Sequence, residues 1–114
     1  MTPGRYDLTC PQGTTFRKQV TWKIDDVPVN LSGYSSRLQV RESYTSTDYI
    51  VSLTSASGMT LGGSAGTIDI LIDDEVTALF PSGNWVYDLE VESGGGIVDR
   101  ILQGNFLVTP EVTR

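Results

Sequence analysis

Hydrophobic and polar residues alternate most regularly between residues 83 and 104, which predicts two antiparallel strands joined by a tight turn. In Asn84–Glu92, acids occupy one face, and the apolar face consists of Trp85, Tyr87, Leu89 and Val91. Because successive residues of a strand point to opposite faces, this pattern is typical of a half-buried strand. Gly94–Gly96 provide the backbone freedom that a tight reversal needs, and Ile97–Leu102 is the predicted return strand.

The same period of two continues along the rest of the chain and predicts about eight or nine strands in all. The other predicted strands are Tyr6–Thr9, Thr14–Asp25, Ser36–Ser43, Asp48–Thr54, Met59–Leu61, Thr67–Ile72 and Gly104–Thr109, and Val27–Val29 is predicted as a short returning segment. Asp25 and Asp26 are predicted to form a hairpin turn, and Pro11, which lacks an N–H group, places the first strand at a sheet edge or ends it. Lys18 is expected at the rim of its strand's apolar face. Short strands separated by turn residues are typical of an antiparallel sandwich or a small barrel.

One segment departs from this period and predicts a short helix near residues 74–80. Val76, Leu79 and Phe80 stand at the i, i+3 and i+4 spacing of a helix face. They follow the acidic run Asp73–Glu75, which suits an N-cap and a first helical turn. The pattern therefore predicts about two turns of helix, ended by Pro81–Gly83.

The length and composition of the chain favour one domain over residues 1–114. A chain of 114 residues with 39% hydrophobic residues can bury one core without metal or disulfide support. No apolar run approaches the ~20 residues that span a bilayer, and residues 1–7 lack the apolar segment of a signal peptide. We therefore expect neither membrane insertion nor secretion through a membrane.

Charge and residue usage exclude several classes of function. The net charge is −6 and the eight basic residues are scattered, so a nucleic-acid partner is not expected. Cys10 is the only cysteine, which rules out an internal disulfide and fits assembly in a reducing cytoplasm. The sequence contains no histidine, the commonest general base and transition-metal ligand.

The remaining candidates for chemistry have ordinary structural explanations. Three acidic clusters are candidate catalytic pairs or calcium ligands: Asp25/Asp26, Asp73/Asp74/Glu75 and Asp88/Glu90/Glu92. The sequence has no calcium loop with alternating acids, so we interpret them as a solvated outer face and a helix start. Gly62–Gly66 leads into a strand and lacks the Lys-Ser/Thr ending of a phosphate loop, so it is predicted to be a turn. We therefore expect no catalytic residue, no metal, no cofactor and no small-molecule substrate.

The aromatic residues divide into a core set and a surface set. Leu31 and Tyr34 are predicted to close one end of the core. The aromatic residues on predicted inward faces are Phe16, Trp22, Phe80, Trp85, Tyr87 and Phe106. Tyr6, Tyr44 and Tyr49 fall near loops and edges, and tyrosine is enriched at protein interfaces. These three residues are therefore the predicted protein–protein contacts.

A set of short motifs runs in a fixed order along nearly the whole chain. They are Gln12–Phe16, Val20–Trp22, Val29–Tyr34, Leu38–Arg41, Gly66–Ile70, Val86–Glu90, Arg100–Gly104 and Val108–Arg114. In this order they resemble small virion proteins of tailed bacteriophages. Gly13–Phe16 and Leu31–Tyr34 are also similar to the opening strand and an L-x-G-Y loop in the immunoglobulin-like N-terminal domain of phage baseplate upper proteins. Thr14 replaces the acid of that family's G-D-T motif.

The resemblance implies an immunoglobulin-like β-sandwich that acts as a non-enzymatic virion structural protein, assembled in the host cytoplasm. Its partners would be other phage virion proteins of the tail, neck or baseplate, with several copies in each particle. Residues 1–13 and the tail 109–114, including Arg114, are expected to be flexible or bound to a partner. Two alternatives stay open: a capsid decoration protein, and a receptor- or carbohydrate-binding module that uses Tyr44 and Tyr49.

Overall fold

A computed structural model describes residues 4–113 of this chain, and these residues form an all-β fold. The strands are β1 Gly4–Arg5, β2 Leu8–Pro11, β3 Phe16–Thr21, β4 Lys23–Ile24, β5 Val27–Pro28, β6 Ser35–Arg41, β7 Tyr49–Thr54, β8 Met59–Leu61, β9 Thr67–Ile72, β10 Gly83–Glu92 and β11 Val98–Thr109. One helical turn, α1 at Asp74–Thr77, and one 3-10 turn at Gly63–Ala65 interrupt them. The all-β class predicted from the alternation is therefore confirmed.

The strands form two main sheets and one small hairpin. The larger sheet has the order β1-β11-β10-β6-β7, with β2 also paired to β11, and the smaller sheet has the order β3-β9-β8. The hairpin of β4 and β5 stands apart from both sheets. It turns through Asp25 and Asp26, whose φ angles of 52° and 65° lie in the left-handed region that hairpin turns require. The predicted turn at these two residues is confirmed.

The hairpin of β10 and β11 is the centre of the larger sheet, as its regular alternation predicts. Tyr87, Leu89 and Val91 are buried, and the two strands turn back at Ser93–Gly96. The sequence predicts two strands, at Ile97–Leu102 and Gly104–Thr109, but the structure has the single strand β11. Gly104 is the predicted start of the second of these strands, yet here it pairs with Tyr87 inside one continuous ladder.

The N-terminal residues belong to the folded sheet. Strands β1 and β2 lie parallel to β11, and Leu8 and Cys10 are buried in the core. The predicted strand Tyr6–Thr9 is two residues too early, because Tyr6 and Asp7 form the break between β1 and β2. Residues 4–11 are therefore part of the sheet, and not the flexible or partner-bound segment expected for residues 1–13. A strand of four residues carries too little alternation to show its buried face.

The helix is shorter than predicted, and it presents a different face to the core. Only Asp74–Thr77 is helical, and Asp73 occupies the N-cap position without a side-chain capping hydrogen bond. Val76 and Leu79 are exposed, whereas Thr77 is fully buried and donates from its hydroxyl to the carbonyl of Thr14. Of the three apolar residues at this spacing only Phe80 is buried, because one helical turn is too short to bury a whole face. In residues 4–113, neither helical segment has the length and apolar character to cross a membrane.

Both sheets contribute their inward faces to one hydrophobic core. Phe106 of β11 lies at its centre, 1% exposed, with its ring centroid 5.6 Å from that of Phe16 on the facing sheet. The inward residues predicted for β6 and β9 are buried, and they are Leu38, Val40, Ile68, Ile70 and Ile72. Leu31 is buried and Tyr34 packs edge-on against Trp22, which agrees with their predicted place at one end of the core.

The buried thiol of Cys10 gives a direct test of this core. Burial raises the pKa of Cys10 to about 11, and its side chain is fully inaccessible. Because the thiolate is the reactive form, alkylation requires the chain to open first. We expect alkylation in the native protein, at mildly alkaline pH, to be at least about a thousandfold slower than in concentrated guanidinium chloride. Similar rates in the two conditions would show that Cys10 lies outside the core.

Candidate interaction surface

The outward face of the larger sheet carries a network of ion pairs across three strands. Arg37 on β6 contacts Glu90 at 2.9 Å and Glu92 at 3.4 Å, both on β10. Arg100 on β11 approaches the same strand from the other side and contacts Asp88 at 3.1 Å and Glu90 at 3.7 Å. The acids interpreted from the sequence as a solvated face are therefore each paired with an arginine. The side chains of both arginines are half exposed, so each pair adds little stability alone.

Asp88 is the carboxylate of this network whose ionisation depends most on its surroundings. Burial raises the pKa of the Asp88 carboxyl above its ordinary value, although the nearby charge of Arg100 acts in the opposite direction. Glu90, on the same strand, adds to the increase because its negative charge disfavours a second one. The folded protein therefore holds the Asp88 proton to a higher pH than the unfolded chain does.

This pKa difference predicts how stability depends on pH. Between the ordinary aspartate pKa of about 4 and the raised pKa of folded Asp88, the folded state binds more protons than the unfolded state. The contribution of Asp88 to the free energy of unfolding is therefore present at low pH and falls as the pH rises through this window. The measurement is chemical denaturation of wild type and Asp88→Asn at a series of pH values. The wild type should lose stability relative to the variant as pH rises, and a flat or opposite difference would refute the assignment.

Two of the predicted contact residues, Tyr44 and Tyr49, lie beside Arg41 of the same sheet. Tyr49 on β7 pairs in register with Arg41 on β6, whose guanidinium lies 5.8 Å from the centre of the Tyr49 ring. Tyr44 lies in the loop between these strands and lines a depression of about 330 Å³ together with Arg41 and Asp88. Tyr44 is 60% exposed and Tyr49 is 55% exposed. The structure thus brings these two tyrosines together around one arginine.

Tyr6 lies at the opposite edge of the larger sheet, at the break between β1 and β2. Its hydroxyl accepts a hydrogen bond of 2.8 Å from Lys18 Nζ, which also lies 4.4 Å from the centre of the Tyr6 ring. The carbonyl of Tyr6 accepts a hydrogen bond from the buried hydroxyl of Tyr87. Tyr6 therefore has a structural role in its own chain, and it lies at the other edge of the sheet from Tyr49. Arg114, the fourth predicted contact, lies outside the described residues.

The turn at Gly62–Gly66 and the acidic clusters are the remaining candidates from the sequence. Gly62–Gly66 forms a turn around Gly63–Ala65 and leads directly into β9, as predicted. Within residues 4–113, acidic and cysteine side chains do not form a group that could hold a metal ion. What the sequence analysis missed is Arg41. Its alternation places it outward, but only the register with β7 shows that it stands between two tyrosines.

The surface at Arg41, Tyr44 and Tyr49 combines two aromatic side chains with a cation, and it offers planar contact area to another protein. Comparison with models of known protein families and with curated proteins finds no match to this chain.

Proposed function

We propose that this chain is a non-enzymatic structural protein of a bacteriophage virion that assembles onto tail, neck or baseplate subunits. The motifs between Gln12 and Arg114, which resemble those of small virion proteins, support the proposal that the chain belongs to a virion. The observation that carries the assembly role is the pair of exposed tyrosines, Tyr44 and Tyr49, beside the half-buried Arg41. Tyrosine and arginine are the residue types that most often dominate the binding energy of protein interfaces.

The strand order supports an immunoglobulin-like β-sandwich as the finer description of the fold. Strands β11, β10, β6 and β7 follow the order G, F, C and C′ of a variable-type domain, and β3, β9 and β8 follow the order B, E and D. The contact between Phe16 and Phe106 joins the two sheets. The single cysteine, Cys10, means that this sandwich is held by its core and not by a disulfide between the sheets.

The experiment is quantitative mass spectrometry of intact particles of the phage whose genome encodes the chain. The wild-type chain should be present in several copies, and the double variant Tyr44→Ala, Tyr49→Ala should be incorporated at least about tenfold less. Thr60→Ala, an exposed change on the smaller sheet, is the matched control and should be incorporated normally. Absence of the chain from particles, together with a purified protein that stays monomeric, would contradict the proposal. A particle map at side-chain resolution then separates tail, neck or baseplate placement from capsid decoration.

A carbohydrate- or receptor-binding module is the second candidate, and the depression beside Tyr44 favours it. Its lining combines an aromatic ring with the polar groups of Gln39, Arg41 and Asp88, which is a suitable set for a sugar. Glycan-array binding that Tyr44→Ala abolishes would support this candidate. Binding that is absent, or unchanged in the variant, would leave the assembly role as the better explanation.

A further inference from the structure

Strand β3 lies at an open edge of the smaller sheet. It pairs with β9 through six residues, from Phe16↔Ile72 to Thr21↔Thr67, with no bulge in the register. In residues 4–113, no strand pairs with its other side. An edge of this kind exposes a row of N–H and C=O groups to which another strand can bind.

The hydrogen bonds at the end of β3 show which groups face outward. The N–H of Trp22 donates to the carbonyl of Gly66 at 2.8 Å, which makes Thr21↔Thr67 a pair without mutual hydrogen bonds. Since bonded and non-bonded pairs alternate, the N–H and C=O groups of Arg17, Gln19 and Thr21 point away from β9. Among the described residues these six groups have no backbone partner. Their spacing allows them to form a regular ladder of hydrogen bonds with one more strand.

The other sheet edges are shorter or protected. Strand β7 has a bulge at Ile50, and the N–H of its last residue, Thr54, already donates to the carbonyl of Ser57. Strand β2 ends at Pro11, which has no N–H, and β8 has three residues. The outward groups of β3 are therefore the longest regular open ladder in the part of the chain that the structure describes.

The charges beside this ladder indicate what kind of strand fits. Arg17 and Lys18 lie on β3 and Lys23 follows on β4, while Arg5 lies on β1 across a cleft between the two sheet edges. The cleft also contains Asp7, which pairs with Arg5 at 3.4 Å. Half of the eight basic residues of a chain with net charge −6 thus flank one edge. A second copy of β3 would place Arg17 and Lys18 close to the same cations, which disfavours self-pairing.

We propose that the open edge of β3 binds an extended acidic segment of a partner protein, which joins the smaller sheet as an additional strand. This inference rests on the assembly function proposed above and adds a second docking element to the surface at Arg41, Tyr44 and Tyr49. The partner's outward residues would lie beside Arg17, where carboxylates are favoured. Its inward residues would lie beside the half-buried Val20 and Leu102 at the cleft, where apolar side chains are favoured. Main-chain hydrogen bonds provide affinity in this mode, and the alternating side chains provide specificity.

The test uses a labelled peptide of about nine residues that alternates glutamate with valine, and a matched peptide with lysine in place of glutamate. Fluorescence polarisation should detect the glutamate peptide and not the lysine peptide. Amide hydrogen exchange should slow at Arg17, Gln19 and Thr21 when the glutamate peptide is bound, and should be unchanged at Ser52 on β7. Failure of the glutamate peptide to bind at millimolar concentration, equal binding of the lysine peptide, or protection elsewhere would overturn the proposal.

Gln19→Pro removes one outward N–H and leaves the ladder with β9 intact, so it should weaken peptide binding at least about tenfold. Ser52→Pro is the control, because the bond from Ser55 N–H to Ser36 C=O shows that the N–H of Ser52 also points away from its neighbour. It should bind the peptide normally. If Gln19→Pro does not fold, the exposed change Arg17→Glu should weaken binding by a similar factor. If the chain is absent from particles but binds the peptide, only the virion role is contradicted. If wild type does not bind the peptide and folded Gln19→Pro is incorporated normally, only the β3 site is contradicted.

Discussion

Phe106→Ala is expected to lower the free energy of unfolding by about 3–5 kcal/mol. Phe106 is 1% exposed, and its ring lies 5.6 Å from Phe16 and 6.4 Å from both Phe80 and Tyr87, measured between ring centroids. These partners come from β3, from the segment after α1 and from β10, so one side chain joins both sheets. Its replacement by alanine loses the transfer free energy of the ring and leaves a cavity that the three aromatic neighbours cannot fill completely.

Equilibrium denaturation in urea measures this loss, with the slope of the transition checked for two-state behaviour. Leu107→Ala is the matched control, because Leu107 is the next residue of β11 and faces outward, 41% exposed. Its cost should stay below about 1 kcal/mol. Equal costs for the two variants would show that β11 is shifted by one residue, since such a shift exchanges the two faces of a strand.

Gly104→Ala is expected to cost about 1–3 kcal/mol, although it adds only one methyl group. A Cβ atom at Gly104 would overlap the carbonyl oxygen of Tyr6, which is backbone and cannot rotate away. The break between β1 and β2 therefore passes directly over this residue. The same carbonyl accepts the hydrogen bond of the Tyr87 hydroxyl, so a displaced Tyr6 leaves that buried group without its acceptor.

Two measurements separate this effect from the general cost of replacing glycine. Gly95→Ala, in the turn between β10 and β11, meets only Ser93 Oγ at 3.8 Å and should be nearly neutral. Amide exchange at Tyr6, whose N–H donates to the carbonyl of Gln103 at 2.9 Å, should become faster in Gly104→Ala and remain slow in Gly95→Ala. A Gly104→Ala protein with unchanged stability and unchanged exchange at Tyr6 would rule out the close approach of these two segments.

The strands that the sequence predicts best are those in which one face is buried along several residues. Strand β9 has Ile at every second position, and β10 has Trp, Tyr, Leu and Val at every second position, so their inward faces follow directly from the pattern. The alternation predicts that one strand ends at Leu102 and another begins at Gly104, whereas β11 continues through Gly104, where a distant segment leaves no room for a side chain. Such long-range contacts leave no local periodicity.

The interaction surface could be predicted only in part, because it also depends on contacts between residues that are distant in the sequence. Polar neighbours and turn residues placed Tyr44 and Tyr49 at the surface, which the structure confirms. Their approach to Arg41 depends on the bulge between Val40 and Arg41, which changes the register of β7. The open edge of β3 depends on where the N-terminal strands pair. They pair with β11 and leave the outer side of β3 without a neighbouring strand. The alternation within one strand does not determine which of the two sheets that strand joins.

The parallel pairing of β2 with β11 has a consequence for folding on the ribosome. Leu8 can pair with Phe106 only after the long segment between them has been translated. Until then β2 must remain unpaired, because the strand that completes its ladder has not yet been synthesised. Closing so long a loop is slow. A factor that shields Leu8 and Cys10 during synthesis would therefore raise the yield of native protein.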